Sequence, residues 1–420
     1  MRLLAFTLWA ASGAAFGGGS TAVHDQSCGQ NEVWDSSMSM CMPSVGAASS
    51  QGAIVSARFN AFGVFNAASG PRGGAQFAAP NMFMIDAGTG IGARQFLNLD
   101  LMGTAERWTY PDHGYTEPLQ IGEVQANGTP YVDAQHPHSS PIMGLTLEET
   151  IKLGSSSRLA VFFAPRGEST DGPIAYMHRE SARDDPDAPL GHHVGQDVGH
   201  ISSTVLGARL DLGAWRLEAS AFNGTEPEPT RVDLPIAPIN SAALRISYHL
   251  TPSDSVMASA AKVDQSDALY PGTRSATRLS GSLYDHLTFE GADIDQSFVF
   301  GSISRHPNSR SSVSFLDEVL WQLDASDFWG RVEVLQRLRS ELRIPASARG
   351  DTQVDDERWV SALTFGVTHW ALRYRHLEMG MGAAITMDVV PAEWSSAYGS
   401  RTPVTGRLLL QIRGSHRWQR

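Results

Sequence analysis

Imidazoles and carboxylates accumulate in one stretch of this sequence, Gln135 to His200. It opens on Gln135-His136-Pro137-His138, passes His178-Arg179 and Asp184-Asp185-Pro186-Asp187, and closes on His192-His193, Asp197 and His200. These 66 of 420 residues hold six of the 14 histidines. Neutral imidazole ligates copper, zinc and nickel, and a carboxylate commonly orients a ligating ring through its second nitrogen. The expected ligand set is drawn from His136 or His138, His178, one of His192 and His193, and His200, with Asp197 as the orienting carboxylate. His136 and His138 can face one side of an extended chain across Pro137. The adjacent His192 and His193 diverge in an extended backbone, so they do not readily share one ion. A second reading makes the same residues a hydrogen-bonded polar plug without metal, in which Arg179 pairs with Asp184 or Asp187. A third uses one of Ser139, Ser140, Ser202 and Ser203 beside a histidine base, as in a lipid hydrolase.

A second group of soft ligands lies near the N-terminus. Met38, Met40 and Met42 surround Cys41, and sulfur ligands suit Cu(I). The bland alternative is a cap clipped by a disulfide, whose methionines have no metal role. Met1-Arg2, the apolar run from Leu3 to Phe16 and the small residues Gly13, Ala14 and Ala15 have the pattern of a secretory signal peptide. In the oxidising compartment beyond it, Cys28 and Cys41, the two cysteines of the chain, are expected to pair. The expected organisation is a signal peptide over 1–22, a Cys- and Met-containing leader over 23–51, and a barrel over 52–420.

The elements that must position the histidines are strands. No segment beyond the signal has the ~18–20 consecutive apolar residues of a membrane helix. Instead, apolar and polar residues alternate in pieces cut by Gly, Pro, Asp, Asn and Ser. Leu97, Leu99 and Leu101 oppose Asn98 and Asp100, and Trp215, Leu217 and Ala219 oppose Arg216 and Glu218. Arg331, Glu333 and Arg337 share one face, as do Arg373 and Arg375, and so many charges suit a wet lumen, not a dry sandwich core. Trp108, Trp215, Trp329, Trp359, Trp370 and Trp394 near strand ends fit interfacial girdles. About 17 strand candidates, including separate ones at 357–370 and 371–379, predict an all-β antiparallel transmembrane barrel. Its strand number is expected to be even, 16 within a range of 14 to 18, with a long inward or capping loop over 165–200.

The charge balance is 32 − 44 = −12, which excludes a broad nucleic-acid footprint. Of the 32 basic residues, two are lysines, Lys152 and Lys262, and 30 are arginines. Planar arginine suits a polar lumen, although a GC-rich genome produces the same bias. The sequence has no Walker-type glycine loop, HExxH pair, GxSxG elbow or metal-type CxxC, which removes the common soluble enzyme classes.

Gly172-Pro173-Ile174-Ala175-Tyr176-Met177-His178-Arg179, Asp185-Pro186-Asp187-Ala188-Pro189-Leu190-Gly191-His192-His193 and Glu218-Ala219-Ser220-Ala221-Phe222-Asn223-Gly224 carry a resemblance. With Gln135 to His138 they resemble a family of bacterial outer-membrane barrels often encoded with copper or heavy-metal efflux genes. The resemblance covers about residues 130–250. It implies an outer-membrane location and a metal-related context, and no reaction. The expectation is therefore a non-enzymatic pore or binding protein in contact with outer-membrane lipid and with copper or zinc ions. The alternatives are a barrel-type lipid hydrolase and a structural envelope protein.

Overall fold

Strands whose two faces differ in polarity must separate two environments. The computed structural model, which describes residues 32–35, 40–43, 53–125, 127–234, 236–264, 273–307, 310–345 and 357–419, closes them into one antiparallel barrel. Seventeen segments pair around the ring. Gly74–Ala78 and Asn81–Ile91 both pair with Ile54–Ala68, along its two halves, so they occupy one position and the barrel has 16 strands. Closure is made by the last strand, Val404–Gln419, against Ile54–Ala68, with Trp418 opposite Val55.

The expected strand number and fold class hold. The separate strand expected at 371–379 does not form. Glu357–Tyr374 runs through it unbroken, absorbing one irregularity between Trp370 and Leu372. The reversal comes at Arg375-His376, where Arg375 takes a φ of 54°.

Leu217, Leu244, Leu279, Phe315, Phe365 and Leu408 are exposed on the outside, while Arg216, Glu218, Arg245, Glu318, Arg331, Glu333 and Arg407 are buried on the inside. An apolar outer belt around a charged interior is stable in a bilayer. The barrel therefore spans a membrane. One rim carries tight turns, such as those at 213–214, 290–291 and 324–325, together with both ends of the barrel chain. The other carries long connections, and in barrels of this type the short turns are periplasmic.

Two long connections turn inward. Residues 104–141 contain the turn of helix Glu106–Thr109 and the hairpin Tyr115–Val124 with Pro130–Gln135. Residues 168–201 contain short helical turns at Tyr176–His178, Glu180–Ala182, His192–Gln196 and Val198–His200. The second is the expected inward loop; the first is a hairpin that alternation did not announce. Leu119, Ile121, Leu190 and Val194 from these segments pack on Ile303, Leu335 and Val360 of the wall, beneath Trp394 and Tyr398 of the 390–403 connection. Gly195 has a φ of 77° and lies against the Ser302 backbone, where a Cβ would collide.

Three tryptophans assigned to girdles point inward instead. Trp329 donates to Thr368 Oγ1 at 3.3 Å and Trp370 to Asp327 Oδ2 at 2.7 Å, and Trp394 is buried in the cap. The Trp329 and Trp370 N–H groups have polar partners in the lumen that lipid lacks, whereas Trp394 is held by apolar packing in the cap. Trp215 and Trp359 do face outward, whereas Trp108 lies in the 104–141 connection. Arg373 lies on the inward face at the rim, opposite Glu378, with which it pairs at 3.2 Å and which also holds Arg413, whereas Arg375 falls in the 375–376 turn. The signal peptide, Cys28 and Met38 lie outside the described residues. Glu32–Asp35 and Met40–Pro43 pair as a small hairpin of backbone, with the side chains of Met40, Cys41 and Met42 outside the description.

Candidate metal centre in the barrel lumen

The inward segments are held by arginines and carboxylates that leave few buried charges alone, as the cost of an unpaired buried ion requires. Arg179 pairs with Glu318 of the wall at 2.5 Å, and Arg331 joins the same carboxylate at 3.2 Å while reaching Asp185 at 3.1 Å. The expected partners of Arg179, Asp184 and Asp187, are taken by others. Asp184 receives Arg413 at 3.0 Å, and Asp187 receives Arg407 at 2.5 Å and the Tyr115 hydroxyl. Arg179 instead bonds outward to the wall, because the 176–182 turns press it against the strand Arg310–Leu323.

Above this network five imidazoles close a ring of contacts. Ring centroids are 6.1 Å apart for His193 and His136, 5.4 Å for His136 and His138, and 5.6 Å for His138 and His200. The ring is completed at 4.7 Å from His200 to His192 and 4.6 Å from His192 to His193. Within it lie two ligand groups, Glu123 with His136 and His193, and His192 with Asp197 and His200. In each group the donor atoms lie within 4.8 Å of one another. His192 and His193 do not diverge as extended chain would have them, because they begin the turn His192–Gln196 and their rings lie side by side, yet each serves a different group.

Hydrogen bonds orient several of these rings. His138 Nδ1 lies 3.0 Å from Glu106 Oε2, His200 Nδ1 lies 2.7 Å from the Asp197 carbonyl, and His136 Nε2 lies 3.3 Å from Glu123 Oε2. Asp197 accepts the Tyr176 amide at 3.0 Å and sits 3.7 Å from His192 Nδ1. Both nitrogens of His193 and Nδ1 of His192 are buried without a hydrogen-bond partner. Such groups are costly unless something occupies them.

Burial holds four of the five rings neutral, which is the ligating form. It lowers His200 to about 3 and His136 to about 4, the latter aided by repulsion from His138, and pushes His192 and His193 well below the usual imidazole range. Burial also raises Asp197 to about 6 and Glu123 to about 7. For His138 burial works against protonation, but the Glu106 carboxylate outweighs it and the net shift is upward.

His178 does not join the ring. Its Nε2 is 2.9 Å from Glu168 and its Nδ1 is 3.5 Å from Arg58, so both nitrogens face other partners. Glu106 and Glu123 belong to the site although the histidine pattern did not reveal them. Among the described residues no hydrogen bond links Ser139, Ser140, Ser202 or Ser203 to His136, His138 or His200. Ser140 donates to the Ile142 carbonyl at 3.1 Å and Ser202 to Ser169 Oγ at 3.4 Å. That arrangement lacks the base contact a serine nucleophile needs.

No protein-family model matches the chain, and no curated protein matches it in sequence. Solved structures match its fold. An anion-selective porin from Comamonas acidovorans aligns with a TM-score of 0.50 at 9% identity, over 87% of this chain and 99% of its own. OprB of Pseudomonas putida aligns with a TM-score of 0.50 at 10% identity, over 87% of this chain and 94% of its own. The outer membrane channel DcaP of Acinetobacter baumannii gives 0.50 at 11% identity, over 87% and 98%. The likeness is one of fold, that of bacterial outer-membrane barrels, and with the apolar belt it gives the chain that location.

Proposed function

We propose that this outer-membrane barrel is a porin-like conduit, closed in the form described, that binds a transition-metal cation, copper or zinc, in its luminal segments. The observation that carries the metal assignment is the closed ring of five imidazoles, with His192, His193 and His200 buried and both nitrogens of His193 without a protein partner. A polar plug built of protein groups alone leaves both nitrogens of His193 without a partner. Copper finds added support in thioethers. Met84, Met102 and Met143 form a buried cluster with Met82 and Met177 packed against it. Met143, His138, His200, Glu123 and Glu226 line one cavity of about 30 Å³, room for a single water or ion. The conduit assignment draws on the barrel and its charged wall, and passage requires the luminal segments to move.

Equilibrium dialysis of the full-length protein against Zn(II) and Cu(II) tests the reading. At least one ion per chain is expected, and H193A and H200Q are each expected to weaken retention at least about tenfold. No retained ion would remove the metal assignment.

A further inference from the structure

We propose that the bound ion is a latch between the two luminal segments, so that metal occupancy controls closure of the barrel. This rests on the metal-binding reading above and adds a consequence to it. The first ligand group draws on both segments, with Glu123 and His136 of 104–141 meeting His193 of 168–201. The second, His192, Asp197 and His200, lies within 168–201, and His138 of 104–141 reaches it at His200.

Across the two segments, His138 Nε2 and His200 Nε2 lie 3.4 Å apart. The other nitrogen of each ring faces an acceptor, the Glu106 carboxylate at 3.0 Å and the Asp197 carbonyl at 2.7 Å. Each Nδ1 therefore carries a hydrogen, and the two Nε2 atoms are the nitrogens turned toward each other across the segments. Two nitrogens on one tetrahedral ion at ~2.0–2.1 Å are about 3.3–3.4 Å apart. The spacing of this pair matches that separation, and His192 and Asp197 lie beside His200 to complete a ligand set.

The rest of the contact between the segments explains why an ion here would matter. Their other direct hydrogen bonds cluster at residues 187–189. Gln120 donates to the Ala188 and Pro189 carbonyls at 3.1 and 3.2 Å, Gln135 to the Ala188 carbonyl at 2.9 Å, and Tyr115 to Asp187. Toward 192–200, among the described residues, the two segments meet through the histidine groups. The ion would fasten the end that protein hydrogen bonds leave open.

The test is hydrogen exchange over residues 169–200 of the full-length protein in lipid, metal-free and with Zn(II), alongside dialysis to establish occupancy. With Zn(II) at ten times its Kd, exchange through opening of this segment is expected to slow about tenfold. Conductance is expected to fall with it, and H138Q to lose the slowing. Bound Zn(II) with unchanged exchange would overturn the latch and leave the metal-binding reading standing. Absence of bound Zn(II) would remove both. The comparison of loaded and metal-free wild-type protein does not depend on any variant folding.

Discussion

Excising residues 170–198 and joining Ser169 to Gly199 through a short glycine-serine bridge is expected to turn the closed barrel into a conducting one. The Ser169 amide already donates to the Gly199 carbonyl at 3.1 Å, so the cut ends need no new chain path. The wall exposed by the cut is charged. Arg245 and Glu218 keep their two-fold contact at 2.7 and 3.0 Å, and Arg331 keeps Glu318 at 3.2 Å. Arg278 loses Asp171, its partner at 2.9 Å, and keeps Glu226 at 3.6 Å. Water can replace the removed segment along the charged and hydroxyl-bearing part of the surface it covered, while Ile303, Leu335 and Val360 lose the cover of Leu190 and Val194. Single-channel conductance in planar bilayers is expected to rise at least about tenfold over that of the full-length chain. A heat-modifiable band on electrophoresis reports whether the variant still folds. Equal conductance from intact and excised barrels would show that 168–201 does not close the lumen.

The second large effect is expected at Glu318. Its carboxylate holds Arg179 of the inward segment and Arg331 of the wall, and accepts the Ser181 hydroxyl at 2.9 Å. E318A leaves two buried guanidinium groups facing a gap, so detachment of the segment should become easier by about 3–5 kcal/mol. R179A should cost less, because Glu318 retains Arg331 and Ser181. The double variant is expected to cost less than the two single changes together, since it removes the charge that each leaves behind. Exchange protection of residues 175–190 measures all three. Strict additivity would mean that Arg179 and Glu318 are not coupled.

The strands were legible in the sequence because a barrel wall imposes period two on every residue that crosses it. Trp215 to Ser220 could be assigned outward and inward residue by residue. The hairpin Tyr115–Val124 with Pro130–Gln135 was not legible, because its pairing shifts register between Thr116 and Ile121 and again before Val124. Leu119 and Asp133 also take φ values of 69° and 52°, which break any alternation. Five histidines of the site could be listed from their clustering, and their convergence follows from how two separate connections fold. His178 was included wrongly for the same reason. Glu168 and Arg58 claim its ring, and the arrangement that brings Arg58 there is tertiary. Glu106 and Glu123 lay outside the histidine-rich stretch, and their roles depend on the short helix and hairpin that carry them back to His138 and His136. The girdle assignment of Trp329, Trp370 and Trp394 failed because an indole suits a membrane interface and a polar lumen equally well.

Placement of the inward segment against the wall is tested most directly by a cross-link. The Ser181 and Ser297 hydroxyl oxygens are 2.6 Å apart, one on the luminal segment and one on the strand Ala292–His306. With Cys28 and Cys41 replaced by serine, the pair S181C and S297C is within reach of disulfide geometry. In the folded barrel in its membrane, the two cysteines are expected to form a disulfide under mild oxidation. Failure to cross-link in a folded, membrane-inserted barrel would contradict the placement of 168–201 in the lumen, and with it the closed conduit and its histidine ring.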